Sequence, residues 1–177
     1  MTGEGDKAFS AGNDLKYSAL PADQKVQQPS SGFAGLTRRF DRTKPIIAAV
    51  NGFAMGGGME TALCCDIIIA SENAKFALPE VKVGFFAAAG GVQRLSRQIG
   101  KKAAVEIMLT GRNVLAAEAL ELGIINEVVP HTSLMEIAME KAKAIASNCP
   151  SSIRYSMEAL NHMAVSYTHL TLPTNTV

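Results

Sequence analysis

"IIAAVNGFAMGGGMETALCCDIIIA" (residues 46–70) places two short Ile/Val-rich runs, "IIAAV" (46–50) and "DIIIA" (66–70), on either side of a glycine cluster and a helix-compatible segment. Short continuous apolar runs of β-branched residues are the signature of strands buried on both faces. The predicted order is strand, glycine turn, helix over 57–65, then strand. That crossover unit indicates an α/β architecture. Three consecutive glycines, Gly56, Gly57 and Gly58, are conformationally costly to fix, so their position at a helix entrance implies close approach to the backbone.

Two familiar phosphate motifs do not fit. A Walker A loop needs Lys and Ser/Thr after its second glycine, but Gly58 and Met59 follow Gly57. The dinucleotide fingerprint has Thr61 in its third glycine place and no suitably spaced acid. What remains is a helix N-terminus whose unpaired N–H groups, unshielded by β-carbons, can approach a developing oxyanion. A second tight turn in "KAFSAGNDLK" (7–16) exposes the N–H of Ala11 beside Gly12. Glu60 enters the helix, and Glu80 follows Pro79 within the apolar "FALPEVKVGFFAAAGG" (76–91). Burial would raise the pKa of either acid toward usefulness in proton transfer. By spacing alone, a favourable first-turn acid and a surface-loop carboxylate are the preferred reading of the pair, by about two to one.

Several of these motifs occur together and in order. "TGEGDKAFSAGNDLK", "KPIIAAVNGFAMGGGMETALCCDIIIAS", "FALPEVKVG", "GGVQRLSRQIG" and "LTGRNVLAAEALELGIINEVVP" resemble the enoyl-CoA hydratase/isomerase (crotonase) family over nearly all of residues 2–164, apart from the loop at 17–31. The resemblance implies a crotonase-like ββα spiral core followed by C-terminal helices. It also implies that Met1 is internal to a longer protein and that the C-terminal helices are incomplete. The N–H groups of Ala11 and Gly57 are expected to form the oxyanion hole for a thioester carbonyl. Ala11, Gly12, Asn13 and Asp14 are expected to lie along the acyl-CoA, with Ala88 also in the substrate site. Glu60 matches the family glutamate that orients and activates water, and Glu80 the one that exchanges a proton with the α-carbon. Retention of both favours hydration of a 2-trans-enoyl-CoA, with a Δ3,Δ2-enoyl-CoA isomerase or related dehydratase as the enzymatic alternative. A non-catalytic fragment is the alternative of a different class. No metal or redox cofactor is expected, coenzyme A being part of the substrate, and the resemblance implies a homotrimer or hexamer. Ala87 and Ala88 stand where the family commonly has Pro and Gly; backbone amides survive that change.

Elsewhere, "FAGLTRRF" (33–40) spaces Phe33, Leu36 and Phe40 as in a helix, with Pro45 opening a new element. Residues 90–100, 101–111 and 116–123 read as helices closed by glycine. "IINEVVP" (124–130) reads as a strand, and Ser133 with Glu136 as a capping box for the next helix. A last helix is expected over about 151–164. "VSYTHLTLPT" (165–174) follows that helix with no cap or turn signal. It is similar to a reading frame of the transposon-end adapter of sequencing libraries, in which GTC TCT TAT ACA CAT CTG ACG CTG CCG ACG encodes those ten residues. The expected organisation is therefore a partial spiral core with the acyl-CoA site (1–130), the start of a C-terminal helical region (131–164), and a translated adapter (165–177) in which Tyr167 and His169 have no role.

The 177-residue composition agrees: 47% hydrophobic and 19% charged residues describe a globular chain. With 17 Lys+Arg against 16 Asp+Glu, nothing points to nucleic acid or an anionic membrane. Cys64, Cys65 and Cys149 form no Cys-x-x-Cys and no even set, so a reducing, cytoplasmic setting is expected, with Cys64 and Cys65 as packed core thiols. Lys7, Lys16, Arg38 and Arg39 are candidate partners for coenzyme A phosphates, though solvated charges are the commoner meaning. His131 and His162 have no Ser or Cys arrangement near them in sequence and read as surface residues.

Overall fold

The computed structural model describes residues 1–18, 20–25 and 29–168. β1 (Ala8–Ser10) ends in the Ala11–Gly12 turn and is followed by the short α1 (Leu15–Ser18). β2 (Ile47–Val50), β3 (Phe53–Met55), α2 (Gly57–Leu63) and β4 (Ile67–Ser71) come next, then β5 (Lys75–Ala77). After a 3₁₀ segment (Pro79–Val83) come α3 (Gly91–Gln98), α4 (Lys101–Thr110), β6 (Val114–Leu115) and α5 (Ala116–Glu121). β7 (Glu127–Val129), α6 (Leu134–Ala146) and α7 (Pro150–Thr168) complete the order.

The strands make two sheets. One runs β1-β3-β5-β6, parallel except for the antiparallel β5–β6 pair, and the other β2-β4-β7, all parallel. The opening stretch therefore does more than one crossover. β2 and β4 pair in register, Ile47 with Ile67 through Val50 with Ala70. Between them the chain leaves that sheet, adds β3 to the other, and returns through α2. Sequence reading treats 51–56 as a turn and misses β3. A strand of three residues with Phe53 exposed carries no periodic signal, and its partners lie at residues 8–10 and 75–77.

α2 sits where the two layers meet, packed on β1, β3 and α3. Gly58 through Leu63 are buried in it, Glu60 included. Met59, Ile69, Phe76, Leu78, Leu95 and Ile107 are fully enclosed. Each such side chain contributes about 1.5–3 kcal/mol relative to exposure. Cys64 and Cys65 belong to this core, and burial pushes their thiols up to about 11 and about 12.

Three local expectations fail. Residues 33–40 form no α-helix: only Phe33–Gly35 make a 3₁₀ turn, because Gly32, Ala34 and Gly35 all have positive φ (82°, 53° and 66°) and such residues cannot propagate a right-handed helix. The Ser133–Glu136 capping box does not form. Ser133 has helical dihedrals at the end of a 3₁₀ turn (His131–Ser133), its own N–H bonds the carbonyl of Pro130 at 3.0 Å, and its side chain caps nothing. The last helix runs on to Thr168, past the expected end at residue 164, since no Gly or Pro interrupts 165–168. The remaining adapter-like residues, 169–177, lie outside the described residues. The glycine-closed helices are present: Gly100, Gly111 and Gly123 all have positive φ.

Candidate active site

α2 begins at Gly57 with Gly56 as N-cap, a residue with no side chain to cap the turn. The first intrahelical bond is Glu60 N–H to the Gly56 carbonyl, at 3.0 Å. The N–H groups of Gly57, Gly58 and Met59 therefore have no acceptor within the helix. Facing this helix start is the Ala11–Gly12 turn at the end of β1. A β-carbon at residue 12 would lie 2.7 Å from the Met55 carbonyl oxygen and 2.9 Å from the Gly57 nitrogen, and φ there is +89°. Glycine at 12 thus leaves the Gly57 amide uncovered, and brings the two candidate donor turns into contact.

Both turns open into one cleft of about 1310 Å³. Of the residues expected in the site, Ala11, Asn13, Gly57, Glu60, Glu80 and Ala88 line it. Gly12 lies behind, against Met55 and Gly57. Asp14 is exposed and caps α1 instead, its Oδ1 accepting the N–H groups of Lys16 (2.8 Å) and Tyr17 (3.4 Å). Among the basic residues singled out, Arg38 and Arg39 line the cleft, while Lys7 and Lys16 do not. His131 is elsewhere, its Nδ1 3.2 Å from Ser71 Oγ.

The two carboxylates differ in how they are held. Glu60, only 4% exposed, accepts the Gly91 N–H on Oε1 at 2.9 Å. Burial pushes its carboxyl up from the ordinary glutamate value. The Gly91 amide opposes that rise, the nearby Glu80 charge adds to it, and Ala89 and Arg94 work against it. Glu80 stands at the start of the 3₁₀ segment after β5 and is also pushed up by burial. Its Oε2 is enclosed and accepts no hydrogen bond from the described residues. An enclosed, unpartnered carboxylate oxygen at a cleft wall is a position for an outside donor or for a proton.

Sequence reading missed three participants. Gly91, which pins Glu60, is signalled only by the Gly90–Gly91 pair, and its partner is 31 residues away. Phe33 packs its ring on Gly57, where an added β-carbon would meet ring atoms at 2.7 and 2.8 Å. Arg94 donates to the carbonyls of Thr37 (2.8 Å) and Ala89 (3.4 Å), tying the Phe33 segment to the one that holds Glu60.

The arrangement, two acids and two backbone turns around one cleft, can be compared with known proteins. The enoyl-CoA hydratase/isomerase family matches residues 1–173. The chain belongs to that family. A carnitinyl-CoA dehydratase from Salmonella enteritidis PT4 is 47% identical over 153 residues, which is 86% of this chain and 59% of that protein. Among solved structures, a carnitinyl-CoA dehydratase from Mycobacterium avium 104 superposes with a TM-score of 0.82 at 46% identity, covering 90% of this chain and 62% of that one. An enoyl-CoA hydratase from Bacillus anthracis gives 0.80 at 40% identity, with the same coverage. The fold is therefore the crotonase fold, and this chain spans about three fifths of the length of these family members. Among the described residues, no helix is long and apolar enough to cross a membrane.

Proposed function

We propose that the protein carrying this chain is an enoyl-CoA hydratase, adding water reversibly and syn across the C2–C3 double bond of a 2-trans-enoyl-CoA. The observation that carries the reading is the convergence of Glu60 and Glu80, both raised by burial, on the cleft where the Ala11 and Gly57 turns meet. Water addition at C3 places negative charge on the thioester oxygen. Two preorganised N–H donors, at Ala11 and Gly57, stabilise that enolate; losing one oxyanion-hole donor typically costs about 2.7–4 kcal/mol. Glu60, held by Gly91, takes the proton from the attacking water. Glu80 delivers a proton to C2, and the free Oε2 is available for that exchange. Dehydration of a 3-hydroxyacyl thioester retraces the same steps with the two roles reversed. Asn13 and Ala88 line the path of the acyl-CoA. The carboxylates and amides supply every proton and charge the reaction needs, so the proposal invokes no metal or redox cofactor.

The dehydration direction on a carnitinyl thioester is the second reading, favoured by the names of two of the relatives above. Isomerisation is less well supported, since a proton shuttle between C2 and C4 needs one acid, and here a second acid is fixed by Gly91. Assembly as a trimer or hexamer, in a reducing cytoplasmic setting, belongs to the same proposal. The test is hydration of crotonyl-CoA by the intact protein and by its Glu60→Gln and Glu80→Gln variants. Each variant is expected to lose about 10²–10⁴-fold in kcat. Undiminished hydration in either sinks that residue's role.

A further inference from the structure

The segment carrying Phe33 is built under strain. Ala34 is the single non-glycine residue with positive φ (53°) among the described residues, between Gly32 at 82° and Gly35 at 66°. A conformation of that kind costs about 1–3 kcal/mol and persists only where the surroundings over-determine it. They do so here. Gly32 N–H bonds the Pro29 carbonyl (2.8 Å), Gly35 N–H that of Gly32 (3.0 Å), Leu36 N–H that of Phe33 (3.1 Å) and Arg38 N–H that of Ser31 (2.9 Å). Leu36 and Thr37 are buried, and Arg94 clamps the Thr37 carbonyl. What this locked turn holds in place is the Phe33 ring, in the cleft and against Gly57. On the neighbouring side, a β-carbon at Gly56 would lie 3.3 Å from Glu80 Oε1. The Gly57 amide is thus flanked by a carboxylate on one side and an aromatic ring on the other.

We infer that Phe33 is a specificity-determining residue: its ring limits the bulk an acyl group can carry beside the thioester, so the site takes thioesters unbranched at C2 and rejects branched ones. The inference rests on the acyl-CoA reading above. A thioester oxygen bonded to the Gly57 N–H puts C1 and C2 within a few ångströms of that amide, alongside the ring that packs on the same residue. The backbone turn fixes the point from which the half-buried ring projects and Gly57 backs it on one side, which limits how far the wall can retreat from an added methyl. One extra methyl group against an unyielding wall is worth about 10–200-fold in discrimination.

The experiment measures dissociation constants of butyryl-CoA and 2-methylbutyryl-CoA for the intact protein and for Phe33→Ala, Phe33→Leu and Phe33→Trp. The wild type is expected to prefer butyryl-CoA. Phe33→Ala is expected to shift the ratio toward the branched thioester by about tenfold or more, Phe33→Leu by less, and Phe33→Trp in the opposite direction. A ratio taken on one preparation does not depend on its active fraction, so a partly folded variant still reports. Ratios within about twofold of wild type in all three variants overturn the assignment. Because the readout needs binding and not turnover, failure to hydrate crotonyl-CoA would sink the activity while leaving the Phe33 ratio readable. If neither thioester binds the wild type, both fall.

Discussion

Replacing Gly12 by alanine tests the oxyanion geometry without touching an acid. The added methyl would lie 2.9 Å from the Gly57 nitrogen and 2.7 Å from the Met55 carbonyl oxygen, both backbone atoms of the packed β3–α2 corner. Two penalties arise. Alanine at φ +89° costs about 1–2 kcal/mol of folding stability. Separately, covering or displacing the Gly57 N–H removes one of the two proposed enolate donors, about 2.7–4 kcal/mol of transition-state stabilisation, or about 10²–10³ in kcat. Gly123→Ala separates the two, since Gly123 has φ +78° with nothing within 4 Å of its added β-carbon. Gly123→Ala should lose about 2–8 °C in Tm, and Gly12→Ala at least as much, since its methyl also crowds two backbone atoms. Only Gly12→Ala should lose crotonyl-CoA hydration, with kcat falling more than KM rises, because the donor acts on charge that develops in the transition state. A Gly12→Ala protein within about threefold of Gly123→Ala in kcat would refute the assignment of Gly57 as a donor.

Burial raises both glutamates above their ordinary 4.5, so the folded protein binds these protons more tightly than the unfolded chain does. The stability they contribute is fully present below pH 4.5 and is lost as pH rises through the raised values. The wild-type Tm should therefore fall relative to that of Glu60→Gln as pH rises above about 4.5, and parallel Tm–pH curves would contradict the burial argument. In activity, the acid limb of kcat/KM should lie above the ordinary glutamate value. Arg94→Met removes a positive charge that lowers Glu60 against the Glu80 charge that raises it, and frees the carbonyls of Thr37 and Ala89. Its acid limb should move to higher pH, with Arg94→Lys restoring the limb but not the two-carbonyl clamp; an unmoved limb in Arg94→Met would rule out the electrostatic part. At the core edge, Asp66 accepts two hydrogen bonds from Arg42 (2.7 and 3.1 Å) and one from Ile46 N–H (2.7 Å). Because Asp66 is itself exposed, Asp66→Asn should cost only about 1–2 kcal/mol, or about 2–8 °C in Tm, readable by calorimetry.

What could be read from the sequence was what is local. The Ile/Val runs, the helix after the glycines and the glycine-closed helices each announce themselves within about ten residues. β3 does not, because its reason for being a strand is its pairing with β1 and β5, residues far off in the chain. The 33–40 segment fails in the opposite way. Its apolar spacing suits a helix, but Ala34 has a positive φ that an alanine does not advertise. The acids divide along the same line. As a first-turn residue, Glu60 reads as a helix stabiliser worth less than about 1 kcal/mol. In the fold it is 4% exposed, burial disfavours its charge, and one amide from Gly91 offsets only part of that penalty. The sign of its contribution has reversed, and the reversal is invisible without the packing of α3. Glu80 goes further, with one enclosed oxygen that no described residue satisfies. Two destabilising carboxylates in one cleft do not help the fold, so their compensation comes from what enters the cleft. Under the proposed function, a water held by Glu60 and a thioester protonated at C2 by Glu80 would be partners of that kind.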